Sequence, residues 1–387
     1  MHTTIVSSVA MMRVPKSRFS IDVIVPVTRV SRCLYDIINM EKPSNVNVTY
    51  IFIVDKPSLT LPEDITKKSD VIVLYNDKNL GAHASRNKGI TVGKGDFILF
   101  LDDDVIPSKD LLLNYYEAIK WDREGHPGYV GYVGFPIDLK DRFHLGVKLS
   151  LMTTFFEIAK YRREVVWGVT ANLMVNRKKL GGILFRTIFP KSGGGEDIDF
   201  GIRITRKNGK LFLTIPDAKV THPVWSSKGR WRRFFRWRYG DTNLILLYPE
   251  LTFRTPLNFP EFLFIYGILI GVLSVIFDPI ILLVFGFSTP LLFLTEFLLT
   301  KRMIEDAGLK GYPLIGYVYA TIIRLINEFG HLAFIIKHLK FNLLCRRFDY
   351  SCIGEFVDFE KKWSRNKFLA YLITCLLSVI FMFSVAR

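Results

Sequence analysis

The stretch FILFLDDDVIPSKD, Phe97 to Asp110, decides the reading of this chain. Its uninterrupted apolar run, Phe97 to Leu101, fits a strand buried on both faces. The run ends directly on three carboxylates, Asp102, Asp103 and Asp104. Adjacent like charges at the end of a buried strand are unfavourable by themselves, so they point to a positively charged partner. Carboxylates at i and i+2 of a turn can converge on one hard cation. The plainer explanation is an acidic cap for a helix expected from Pro107 to Trp121, where carboxylates suit the helix dipole.

The flanking sequence supports the strand. Ile21 to Pro26 is a short β-branched run ended by proline, and Tyr50 to Val54 is another, stopped at Asp55-Lys56-Pro57. Asp70 to Tyr75 predicts a third strand and Asp96 to Leu101 a fourth. Helical stretches are expected between them, from Ser31 to Asn39 and from Leu80 to Thr91. Strands alternating with helices predict an α/β fold with a mostly parallel sheet. Ligands of such sheets sit beyond the carboxyl ends of the strands, where Asp55 and Asp102 to Asp104 fall. Further strands are expected over Val165–Val175 and Leu211–Ile215, and a helix from Glu196 onward.

The second half reads differently. Phe262 to Phe277 and Ile280 to Leu299 are apolar runs parted by Asp278-Pro279, and Phe368 to Val385 is a third. Each is close to the ~17–20 residues that cross a bilayer. Pro313 to Leu339 is apolar too, but Arg324, Asn327, Glu328 and His331 recur on one helical face. A span there would carry the basic segment Lys340 to Lys367 to the outer side, against the positive-inside tendency, so an amphipathic helix in the membrane interface is expected. A fourth span with a paired Arg324 and Glu328 is the other reading. The net charge of +16 has its densest basic run just before the first span. That is the pattern of a cytoplasmic membrane interface, and no nucleic-acid signature accompanies it. Cys33, Cys345, Cys352 and Cys375 form no C-x-x-C pair, so neither a disulfide framework nor a zinc site is expected. Residues 1–20 do not read as a signal peptide, because Arg13, Lys16 and Arg18 follow the weak apolar patch.

Two more clusters carry chemistry. Ser192-Gly-Gly-Gly195 leads into Glu196 and Asp197, and a glycine loop bringing carboxylates to a helix start suits a positioned general base. His222 follows the last expected strand, where a neutral imidazole could complete a metal site. RWRRFFRWRYGD, Arg230 to Asp241, interleaves basic and aromatic residues. Interfacial anchoring explains it; so does Arg233-x-x-Arg236-Trp237 as a diphosphate clamp with a flat indole face for a sugar.

Taken in order, these motifs resemble a membrane-bound family-2 glycosyltransferase with the Rossmann-like glycosyltransferase A fold, over about Ile21 to Asp241. IDVIVPV resembles the opening strand and IFIVDKPS the family's V-D-D-x-S, with Lys56 where a second aspartate is common. NLGAHASRNKGI resembles the N-x-G-x-x-x-A-R-N-x-G segment, Asp102-x-Asp104 the D-x-D, Glu196-Asp197 the E-D pair, and Arg233-x-x-Arg236-Trp237 the Q/R-x-x-R-W motif. The resemblance implies nucleotide contacts from Pro26, Asp55, Arg86, Asn87, Asp102 and Asp103. It implies Mg2+ or Mn2+ on Asp104 and Asp102, joined by His222, and Asp197 as base beside Glu196. Arg233, Arg236 and Trp237 would meet the diphosphate and the acceptor. The expected organisation is an extension (1–20), a catalytic domain (21–225), a basic aromatic interface segment (226–260), a transmembrane hairpin (261–299), cytoplasmic or interfacial helices (300–367) and a last span (368–387). The expected activity is inverting, metal-dependent transfer from a nucleotide sugar to a lipid-linked acceptor, in a multi-pass membrane protein with a cytoplasmic catalytic domain. Two alternatives use the same residues. A processive polysaccharide synthase would also export its product, for which three or four spans are few. A non-catalytic membrane scaffold would not need Asp102, Asp104 and Asp197. Direct glycosylation of polyprenyl phosphate is a further variant of the first reading.

Overall fold

The computed structural model describes residues 19–191, 193–225 and 230–385. Most of the expected N-terminal extension, Ser192 of the glycine loop and the first residues of the basic aromatic segment lie outside them.

The first half is a mixed α/β domain. It opens with β1 (Phe19–Val27), α1 (Arg32–Ile38), β2 (Val46–Val54), α2 (Glu63–Thr66), β3 (Val71–Tyr75), α3 (Ala82–Val92) and β4 (Phe97–Leu101). These strands pair in parallel in the order β3-β2-β1-β4. Every residue of β4 is buried, as an apolar strand covered on both faces requires. The order reverses between β1 and β4, the topological switch point of an open sheet, where a crevice forms beyond the strand ends.

The rest of the sheet departs from the expected pattern. Ile106–Pro107 is a two-residue strand, β5, and the helix expected from Pro107 is α4, Leu111–Trp121. Then follow β6 (Gly128–Gly134), α5 (Arg142–Leu149), β7 (Glu164–Val165), β8 (Asn172–Asn176), α6 (Arg177–Leu180), α7 (Glu196–Asn208) and β9 (Phe212–Thr221). β8 runs antiparallel to β4, β6 antiparallel to β8, and β9 parallel to β6. The strand expected over Val165–Val175 is therefore two strands, β7 on β9 and β8 on β4, joined by a buried irregular segment around Trp167. The strand expected to stop at Ile215 continues through Pro216. A register shift in the β6–β9 pairing absorbs the proline, which has no N–H to give the ladder.

The second half is helical. It comprises α8 (Arg230–Leu247), the short strand β10 (Thr252–Arg254), α9 (Phe259–Ile276), α10 (Leu282–Asp306), α11 (Leu314–His338), β11 (Arg346–Phe348) and α12 (Val357–Val385). Four segments, Phe259–Ile276, Pro279–Asp306, Leu314–His338 and Val357–Met382, are long and apolar enough to cross a membrane. α11 is two-faced: Ile315, Ile322, Phe329 and Ile336, seven residues apart, are each more than a third exposed. Its polar side turns into the protein instead. Arg324 Nη1 donates to the Ser150 carbonyl at 3.0 Å and Asn327 Nδ2 to the Phe234 carbonyl at 3.0 Å. Two buried ion pairs pin the helices. Arg347 donates from Nη1 and Nη2 to the two Glu261 oxygens at 2.9 and 2.5 Å, tying β11 to the capping box of α9. Lys367 donates to Glu296 at 2.6 Å, tying α12 to α10.

α8 lies against α11 with almost no space at Gly330, where a Cβ would stand 2.3 Å from the Phe235 carbonyl oxygen. Gly330→Val is expected to cost about 1–3 kcal/mol by overpacking, seen as a lower melting temperature in detergent. An unchanged melting temperature would show that this crossing yields without cost.

Candidate active site

The crevice at the switch point is the mouth of a cavity of about 1030 Å³. Of the residues singled out above, Pro26, Asp55, Arg86, Asp102, Asp103, Asp104, Glu196, Asp197, His222, Arg233 and Trp237 line it. Asn87 and Arg236 do not. Asn87 lies against the Phe185 backbone, accepting from its N–H and donating to its carbonyl, both at 2.8 Å. The Arg236 side chain is exposed.

The acidic turn after β4 divides its work. Asp103 points inward, accepting from the Thr28 N–H at 2.7 Å, the Thr28 hydroxyl at 2.9 Å and the Arg29 N–H at 3.2 Å. It fastens the loop after β1 to the end of β4. Burial pushes its pKa up, against the pull of Arg29. Asp102 and Asp104 remain for the cavity. With His222 their ligand atoms all lie within 4.8 Å of one another. His222 Nε2 is 3.5 Å from Asp104 Oδ1, while Nδ1 is 2.8 Å from the Pro223 carbonyl. A carbonyl only accepts, so Nδ1 carries a proton, and in the neutral ring Nε2 then presents its lone pair beside Asp104, the arrangement of a metal-binding imidazole. The rings of Phe135 and Trp225 hold the imidazole, each at 5.4 Å. Two carboxylates and an imidazole fit a divalent ion such as Mn2+ or Mg2+. Among the described residues a second group, Glu124, His126 and Glu164, has similar spacing. It is already neutralised: Arg163 and Lys210 hold Glu124, and His126 bridges Asp122 and Glu164.

Asp55, 1% exposed, spends its carboxylate on the loop before α3. Leu80 N–H, Gly81 N–H and Asn76 Nδ2 donate to it at 2.7, 2.8 and 2.9 Å. Arg86, one turn into α3, donates from Nη2 to Asp102 at 2.7 Å. Its Nε and Nη1 are buried without a hydrogen-bond partner among the described residues.

The glycine loop carries the other carboxylates. Gly194 has φ +126°, and a Cβ there would meet the Trp237 carbonyl at 2.8 Å, so only glycine lets this loop lie on the backbone of α8. The Gly194 N–H donates to Glu196 at 2.7 Å. Among the described residues Asp197 accepts only from the adjacent Ile198 N–H, at 3.0 Å. Burial raises its pKa well above the carboxylate range, and the nearby Glu196 and Asp241 charges raise it further. Glu196 is raised by burial too, with Arg86 opposing. Asp199, two residues on, is structural: Arg186, Arg203 and the Tyr248 hydroxyl hold it.

Sequence reasoning missed Asp241, Tyr350 and Arg238. Tyr350 donates its hydroxyl to Asp241 at 2.7 Å, and Arg238 Nη1 donates to Tyr350 at 2.6 Å. Burial pushes Asp241 up to about 7. Asp241 stood at the end of the basic aromatic motif, but nothing local pairs it with Tyr350, 109 residues later. Arg29 was missed as well; its guanidinium is 3.3 Å from Asp103 and 3.4 Å from Asp104. Arg233 stacks over Trp225 at 5.0 Å. Burial lowers its pKa while Asp104 and Asp102 oppose, and it forms no ion pair with a described residue. A carboxylate pair with an imidazole, a basic side chain and a separate carboxylate of raised pKa thus face one cavity.

Residues 23–183 match the family described as glycosyl transferase family 2. Over 80 residues the chain is 30% identical to an uncharacterized glycosyltransferase of Methanocaldococcus jannaschii. That match covers 19% of this chain and 28% of the relative, so the chain spans little more than a quarter of it. Among solved structures, TarS of S. aureus (residues 1–349) aligns with a TM-score of 0.42 at 15% identity, over 59% of this chain and 65% of that one. GalNAc-T7, solved with UDP, GalNAc and Mn2+, aligns with a TM-score of 0.40 at 14% identity, over 59% and 48%.

Proposed function

The chain carries a glycosyl transferase family 2 domain over residues 23–183, and from that premise we propose that it transfers a sugar from a nucleotide-diphospho-sugar to a lipid-linked acceptor at the cytoplasmic face of a membrane, with inversion at the anomeric carbon. The observation that carries this reading is the meeting of Asp102, Asp104 and His222 with Asp197 in one cavity. A divalent cation bound to the first three would neutralise the diphosphate of the donor. The protein's own groups do the rest. Arg86 orients Asp102 through its ion pair. Arg233, free of an ion pair with any described residue, supplies positive charge beside the leaving diphosphate. Asp197 accepts the proton of the acceptor hydroxyl, whose oxygen forms a bond to the anomeric carbon. The bond from that carbon to the diphosphate oxygen breaks, and the nucleoside diphosphate leaves with its electron pair. A carboxylate with a raised pKa suits this task, because its basicity approaches that of a group working near neutral pH. The four long apolar helices support a membrane-bound acceptor, and the basic α8 supports a cytoplasmic orientation.

The test is donor binding. Detergent-purified protein, screened by thermal shift against nucleoside diphosphates and nucleotide sugars with Mn2+ or Mg2+, is expected to be stabilised by one nucleotide series and only with metal. No stabilisation by any nucleotide under either metal would overturn the reading.

A further inference from the structure

The cavity does not end at the acidic cluster. Arg324 and Glu328 of α11, Glu360 and Trp363 of α12, and Phe356 and Phe359 line it as well. Arg238 joins the two regions electrically, acting on both Asp241 and Glu360. This inner arm therefore opens onto the carboxylate proposed as the base, from within two of the helices long enough to cross a membrane.

The polar groups of the arm have few hydrogen-bond partners among the described residues, although Arg324, Arg347 and Lys367 lie close enough to act on Glu328, and Arg238, Arg324 and Arg347 on Glu360. The carboxylates of Glu328 and Glu360 form no hydrogen bond or ion pair with a described residue. Trp363 is 6% exposed, and its indole N–H is buried with no acceptor among the described residues. Arg324 uses Nη1 on Ser150 and leaves its Nε–H buried without a hydrogen-bond partner among the described residues. Unpaired buried donors and acceptors are costly in an empty protein, which makes them candidates for contacts with a ligand. The two kinds of group occur together. A hydroxyl can donate to Glu328 or Glu360 and accept from Trp363 or Arg324. A phosphate only accepts, so it could use Trp363 and Arg324 but would leave both carboxylates without a donor. The aromatic rings beside them offer flat apolar faces for the carbon skeleton of a ring.

We propose that this arm is the acceptor subsite and that it takes an uncharged, hydroxyl-rich sugar ring of a glycolipid, with Glu328, Glu360, Trp363 and Arg324 contacting its hydroxyls. The proposal rests on the transferase reading above and specifies its acceptor class. A ring held between α11 and α12 leaves its lipid tail at the bilayer.

The experiment uses the full chain in a sugar-free detergent, lauryldimethylamine oxide, with Mn2+ and the nucleotide sugar that stabilises it. The acceptor probes are the decyl glycosides of glucose, galactose, mannose and N-acetylglucosamine, and decyl phosphate. Release of nucleoside diphosphate is measured against probe concentration. At least one glycoside is expected to accelerate release. Trp363→Phe, which keeps the ring but removes the N–H, or Glu328→Gln is expected to raise the KM for that glycoside at least tenfold, with the KM for donor within twofold. A metal-dependent thermal shift by donor checks that each variant is folded. Acceleration by decyl phosphate alone, no acceleration by any glycoside, or an unchanged glycoside KM in both folded variants would each overturn the acceptor assignment. Failure of the wild type to bind any nucleotide sugar is a separate result, and it would remove the transferase reading itself.

Discussion

Asp197→Asn is expected to leave metal-dependent donor binding intact and to lower transfer by about 10²–10⁴-fold, the usual contribution of a general base. The amide keeps the shape and the hydrogen bond from Ile198 but cannot take a proton. Transfer at near wild-type rate would move the assignment to Glu196, the other carboxylate of the pair. The same residue sets the pH profile. Burial, Glu196 and Asp241 hold the Asp197 pKa well above the carboxylate range. The base form exists only above that pKa, so activity is lost as pH falls through it, at a higher pH than for an ordinary aspartate. Asp241→Asn removes one of the negative charges that raise it, and is expected to move the acid limb of kcat/KM to lower pH. A limb that stays in place would show that Asp241 does not act on the base. The effect of Asp241 is strongest above about 7, where its own carboxyl is ionised.

Asp104→Asn is expected to weaken metal-dependent nucleotide binding by at least about 100-fold, since even groups that only support a metal ligand cost 10–100-fold when removed. The Asn cannot offer a carboxylate to the cation, and His222 loses the partner 3.5 Å from its Nε2. Titration of donor with Mn2+ present and absent gives the answer directly. Full affinity in this variant would sink the metal assignment and leave the acidic turn as a cap for β5 and α4. Asp103→Asn should behave differently. Its carboxylate anchors Thr28 and Arg29, so it bears on the shape of the β1 loop more than on the cation.

The parallel half of the sheet was legible because each of its strands is a short apolar run with a turn signal at its end. β4 followed by three aspartates is the clearest case, and the same local pattern revealed the glycine loop before Glu196 and the apolar helices. β6 was not legible. Its sequence GYVGYVG puts three glycines in a strand, against local preference. Gly131 is there because a Cβ would collide with the Asn172 side chain, 2.1 Å away, a demand made by a residue far along the chain. Asp241, Tyr350 and Arg238 were hidden for the same reason, since their value lies in a contact between α8 and the segment after β11. The polar residues of α11 were visible as one helical face, but not where that face points. Packing against α8 and α5 turns it into the protein and leaves the apolar stripe outside, where Asn327 Nδ2 and Arg324 Nη1 each find a backbone carbonyl. Local periodicity thus determined the parallel strands, the long apolar helices and the acidic motifs, while distant contacts decided which of those charges share a cavity and which are spent on holding it together.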